Sequence, residues 1–159
     1  MKQNFKKGLC VVFSRPLALI VGVALACVTA GAAGQPVKPI SVWSGVYTAA
    51  QNKRGEELHG DVCIICHGRR LNGAGQAEMP PSPAIAGESF MRKWVGRNVL
   101  SLFVLVRQTM PIDGPGTLTD QQAADAIAHM FAVSGLPAGN RELPVEPGAL
   151  ANIMIDAKQ

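Results

Sequence analysis

Hydrophobic residues are distributed along this chain in two ways, as one unbroken run near the N-terminus and as spaced positions in three later stretches. The unbroken run, Leu17 to Val28, lies in an uncharged segment from Pro16 to Pro36 and follows Lys2, Lys6, Lys7 and Arg15. A basic start, an apolar centre and the small residues Ala30-Gly31-Ala32 predict a secretory signal over residues 1–32. Two other fates are open to such a segment. It approaches spanning length and would serve as a retained anchor, and Ala24-Leu25-Ala26-Cys27 offers a weaker lipoprotein site.

After an extended lead-in over residues 33–43, Thr48-Ala49-Ala50-Gln51 has the form of a capping box and predicts a first helix reaching about His59, with Gly60 near its end. Gly68, Gly73, Gly75, Pro80, Pro81, Pro83 and Gly87 then break any period and predict a compact loop. A second helix is expected from Ser89 to about Gln108, with Phe90, Trp94, Leu102, Phe103 and Val106 inward as ordinary core residues. Thr119-Asp120-Gln121-Gln122 opens a third, with Ala124, Ile127 and Phe131 on one face and Gly135 and Pro137 as its stop. The tail, residues 138–159, spaces Leu143, Leu150, Ile153 and Ile155 among polar residues and is expected to drape on a domain spanning residues 44–137.

Charge changes this picture little once the leader is set aside. The chain has 15 basic and 11 acidic residues, and four of the basic ones lie in the leader, so the remainder is balanced. The basic total is therefore no argument for a nucleic-acid partner. Cysteine usage is more informative: Cys10 and Cys27 fall in the leader, which leaves only Cys63 and Cys66 and no disulfide framework.

Those two cysteines stand in Cys63-Ile64-Ile65-Cys66-His67, the attachment pattern of a c-type haem. On one turn of chain two thiols can reach neighbouring vinyl groups while the next side chain swings under the ring to the iron. A thioredoxin-like pair would expect a βαβ setting, and a zinc site two more ligands at matching spacing. Neither accompanies this motif. Haem attachment takes place outside the bacterial cytoplasmic membrane, so the leader and the motif agree on a periplasmic location.

A second axial donor is sought among His59, His129 and the methionines. Met110-Pro111 is favoured, because it lies between the second and third helices in a loop shaped by Asp113-Gly114-Pro115-Gly116. Met79-Pro80 is the rival, close behind His67. A thioether would favour Fe(II) and close the iron to oxygen and peroxide, which is the chemistry of an electron shuttle.

Taken together, Cys63 to Gly68, Pro83-Ala84-Ile85-Ala86-Gly87, Thr109-Met110-Pro111 and Leu118 to Gln122 resemble class I c-type cytochromes over about Ser44 to Gly135. The flanks, Val42 to Thr48 and Leu143 to Ile155, look like periplasmic monohaem cytochromes that accompany quinoprotein alcohol dehydrogenases. The resemblance implies an all-α, cytochrome c-like fold of three to five helices around one covalently attached haem. It implies thioethers at Cys63 and Cys66, axial iron ligation by His67 and Met110, a Pro83 carbonyl bonded to the His67 ring, and Ile85 packed on the porphyrin. Arg97 would stand against a haem propionate or at the solvated surface.

The chain departs from the family in two places. Gly55 holds the family's helix-crossing position, but His59 and His129 replace aromatics there and are expected to meet as packing. Val104 and Leu105 stand where polar residues are usual, as a docking patch or as burial under the tail. The function implied is electron transfer to redox partner proteins, a dehydrogenase or a terminal oxidase. The alternatives are an electron-transfer subunit of a membrane-associated dehydrogenase, held through a retained or lipidated N-terminus, and a haem enzyme or gas sensor with an open sixth position.

Overall fold

The computed structural model describes residues 38–74 and 82–158, so the leader, Met79 and the residues around it lie outside the described parts. Three longer helices dominate: α1 (Ala49–Leu58), α4 (Val99–Thr109) and α5 (Asp120–Val133). Short helices α2 (Ile64–His67), α3 (Gly87–Trp94) and α6 (Pro147–Ala151) complete the helical part. Strands β1 (Ile40–Ser41), β2 (Arg97–Asn98) and β3 (Ile153–Ile155) form a small sheet in the order β1-β3-β2. The fold class is the helical, cytochrome c-like one expected.

Helices α1 and α5 cross at Gly55, where an added Cβ would run into the Asp125 carbonyl and the His129 side chain. Only hydrogen is small enough there, so the two backbones touch. α5 is buried from Ala123 to Phe131, and its start carries a complete capping box: Gln122 N–H donates to Thr119 Oγ1 at 3.1 Å and Thr119 N–H to Gln122 Oε1 at 2.8 Å. Arg54 of α1 grips the buried Asp125 carboxylate with two bonds of 2.9 Å and reaches Glu142 of the tail with a third contact of 2.9 Å.

Several boundaries differ from expectation for reasons that lie far away in the chain. The capping box at Thr48 is only half made: Thr48 Oγ1 accepts from Gln51 N–H at 3.1 Å, but the Gln51 side chain turns inward. There, fully buried, it accepts from Leu143 N–H at 2.7 Å and donates to Leu143 O at 3.2 Å, fastening the tail. The first helix does not stop at Gly60; a π-turn over His59–Cys63 carries it into α2.

The expected helix from Ser89 to Gln108 is two helices. Gly96, at φ +84°, turns the chain after α3, and Asn98 restarts it by accepting from Ser101 N–H at 3.1 Å. The break is used by β2, which pairs antiparallel with β3, while β1 pairs with β3 in parallel. The lead-in thus ends in a strand and a 3-10 turn (Val42–Ser44), and the tail in a strand rather than a mere drape. Leu143, Leu150, Ile153 and Ile155 are all buried. The tail leaves Val104 and Leu105 exposed, and burial beneath it is not their role.

Candidate functional site

The motif sits where α1 passes through its π-turn into α2. Cys63 closes the turn and Cys66 lies one helical turn on, a spacing that sets the two free, half-buried thiols on neighbouring positions of one face. Burial, with Cys66 adding, pushes the Cys63 thiol up to about 11. A thioredoxin-type pair needs the opposite shift, since the thiolate is the nucleophile. Among the described residues no group of three or more His, Cys, Asp or Glu side chains is gathered to hold a bare metal ion.

His67 ends α2 and is buried. Its Nδ1 lies 3.1 Å from the Pro83 carbonyl, and because a carbonyl only accepts, Nδ1 is the protonated nitrogen. Nε2 then keeps the lone pair that an iron requires. After His67 the chain turns tightly over residues 68–74. Gly68, at φ +72°, would strike the Ala74 carbonyl with any side chain. Gly73 N–H donates to His67 O at 3.0 Å and Leu71 N–H to Gly68 O at 3.1 Å.

Leu71 is the residue that the sequence patterns did not reveal. Buried and at φ +55°, it offers its carbonyl to Ile85 N–H at 2.8 Å and Ala86 N–H at 3.2 Å, joining the histidine turn to the proline segment. The available signal was a lone apolar residue in a stretch otherwise dense in glycine and arginine. Pro83 itself is exposed at the site's edge, and Ile85 is half-buried against the core.

Met110 caps the C-terminus of α4, half-buried, with its N–H on Val106 O at 3.1 Å. The loop that follows is braced rather than slack. Arg107 donates to Gly116 O and to Asp120 Oδ1, both at 2.7 Å, and Gly114 N–H to Pro111 O at 3.0 Å. Arg97 lies over the Trp94 ring at 5.3 Å from its centroid, on an exposed strand.

The two other histidines are engaged elsewhere. His59 Nε2 is 3.0 Å from Gly68 O, and His129 Nδ1 is 2.9 Å from Asn52 Oδ1, with the rings tilted at 43° and their centroids 5.5 Å apart. The two rings meet at the α1–α5 crossing, as expected. Burial lowers the proton affinity of both. Proximity of His67 lowers His59 further while its Gly68 bond partly offsets this; His59 lowers His129, and Glu56 opposes it.

Two thiols on neighbouring positions of one helical turn and an imidazole whose Nε2 keeps its lone pair are the donor chemistry that attachment of a haem c requires. The family model described as cytochrome c oxidase, cbb3-type, subunit III matches residues 50–130, which take in the cysteine motif, Pro83 and Met110. The chain belongs to this family of c-type cytochromes. No match was found among curated proteins or among solved structures. As a c-type cytochrome the chain carries covalently bound haem c with its iron, and haem-based electron transfer with redox partners is its function. No helix among the described residues is long and apolar enough to cross a membrane.

Proposed function

We propose that this cytochrome is a periplasmic carrier of single electrons in which Cys63 and Cys66 would form the thioethers and His67 and Met110 would ligate the iron. The observation that carries the proposal is the 3.1 Å contact between His67 Nδ1 and the Pro83 carbonyl, which leaves Nε2 for a metal. The haem supplies a one-electron couple at its iron. Around it the chain's own groups orient and exclude. Pro83 fixes the imidazole and raises its basicity; Ile85 would offer the porphyrin apolar surface; Met110, at the start of the Arg107-braced loop, would supply a thioether that denies the iron to small oxidants.

Residues 1–32 are proposed as the export signal and residues 33–43 as the lead-in. The cytochrome domain then spans residues 44–137, and the tail over residues 138–159 is fastened to it. Docking is weak and transient, because turnover requires release. The partner is a dehydrogenase or a terminal oxidase. The family's description as an oxidase subunit favours the latter and supports a second reading, an electron-transfer subunit of a membrane-bound complex held through a retained or lipidated N-terminus. The likeness of the flanks to partners of quinoprotein alcohol dehydrogenases rests on Val42 to Thr48 and the tail, which meet where Trp43 Nε1 donates to Asp156 O at 2.9 Å.

The visible spectrum of the ferric protein tests the ligand set. A carrier shows the long-wavelength methionine-to-iron band, and a haem enzyme or gas sensor with an exchangeable sixth position lacks it.

A further inference from the structure

The Gly68 carbonyl, on the residue that follows His67, accepts two hydrogen bonds. One comes from Leu71 N–H within the loop at 3.1 Å, and the other from His59 Nε2–H on the preceding π-turn at 3.0 Å. A carbonyl only accepts, so Nε2 is the protonated nitrogen of His59 whatever the state of Nδ1. The backbone on both sides of the Gly68 Cα is thus pinned, since the His67 carbonyl is also held by Gly73 N–H at 3.0 Å.

Within this set, only the His59 bond comes from a side chain and from outside the loop. That side chain is itself immobilised. It is buried, its ring faces His129 at 5.5 Å, and His129 is tied to Asn52 at 2.9 Å. Leu71, whose N–H is one of the two donors to Gly68 O, accepts at its own carbonyl from Ile85 and Ala86 N–H at 2.8 and 3.2 Å, which ties the Gly68 peptide to the segment whose Pro83 carbonyl meets His67 Nδ1. A hydrocarbon aromatic at position 59 would fill the same space and supply no donor, which separates the role of the imidazole from that of the ring's bulk.

We infer that His59 is a positioning residue for the axial ligand: through the Gly68 carbonyl it fixes the backbone beyond His67 and so the orientation of the His67 imidazole. The α1–α5 crossing thereby acquires a polar link to the iron site. The inference rests on the reading of His67 as an axial ligand.

Nuclear magnetic resonance of the ferric holoprotein tests it, through the paramagnetically shifted haem-methyl and His67 ring signals and the exchange of the Gly73 amide. His59→Phe keeps an aromatic at the crossing and is expected to redistribute the methyl shifts and to speed Gly73 exchange about fivefold, as loss of one hydrogen bond would. His59→Gln, which retains an N–H donor, restores both toward wild type, and His129→Phe, which keeps a ring against His59 and leaves the His59–Gly68 bond in place, displaces the methyl pattern less than His59→Phe. Wild-type shifts and exchange in His59→Phe, or equal displacement in His59→Gln, overturn the inference. A wild-type protein without any shifted imidazole signal refutes the ligand assignment itself, a different failure from an unchanged His59→Phe.

Discussion

Gly55 of α1 rests against the backbone of Asp125 in α5, with no room for a Cβ between them. The approach brings the first and last long helices into direct backbone contact and sets the stage for the His59–His129 pair a turn away. Gly55→Ala must separate the helices. The gain of about 1 kcal/mol in helix propensity does not offset an overpacking cost of about 1–3 kcal/mol, with further loss as neighbouring contacts open. Urea denaturation of the holoprotein should show a net loss of stability, and an unchanged midpoint would contradict the close crossing.

Burial holds both His59 and His129 below the ordinary imidazole range in the folded protein. A histidine whose folded value is lowered contributes stability above the unfolded value, about 6.5, and loses it as pH falls from there toward the folded value. Wild type should therefore weaken between about pH 7 and pH 5. The double variant His59→Phe/His129→Phe should weaken less over the same range. An identical fall in urea midpoint for both proteins would remove the pair from the cause.

Arg54 and Asp125 are unequal partners. The arginine side chain is 41% exposed and the aspartate 7%, so removing the arginine leaves a buried carboxylate with the Gln121 amide as its remaining side-chain donor, whereas removing the aspartate leaves a solvent-accessible cation beside Glu142. Arg54→Ala is expected to cost about 1–2 kcal/mol, discounted from the buried-pair range for the arginine's solvent access. The double variant Arg54→Ala/Asp125→Ala should lose less than the sum of the singles. Glu142→Ala, whose ion pair with Arg54 is exposed on both sides, should cost less than about 0.5 kcal/mol. Additive losses in a double-mutant cycle would contradict this.

The buried Gln51 side chain is the tail's fastener, satisfying both the N–H and the carbonyl of Leu143. Gln51→Leu keeps the volume and leaves two backbone groups unpaired, at about 2–4 kcal/mol. Hydrogen exchange at Leu143 should accelerate more than exchange in the middle of α5. Uniform acceleration across the protein would instead mean global destabilisation.

Legibility in the sequence followed the range of the interactions. The capping box at Thr119 is local and complete, and the cysteine motif with its histidine is five consecutive residues, so both could be read directly. Gln51 misled because its side chain left the local box for a partner in the tail. The break between α3 and α4 was hidden for the same reason: Phe90, Trp94, Leu102 and Phe103 keep an apolar face, and only the pairing of Arg97 and Asn98 with Ile155 and Met154 uses the interruption at Gly96. The site showed the same division, with Pro83 approached through its resemblance to a known loop and Leu71 concealed by its left-handed backbone.

Iron ligation by Met110 is the central claim, and the ferric visible spectrum of two alanine variants tests it most directly. Met110→Ala is expected to lose the long-wavelength methionine-to-iron band and Met79→Ala to keep it. Retention of the band in Met110→Ala, or its loss in Met79→Ala alone, would contradict the account.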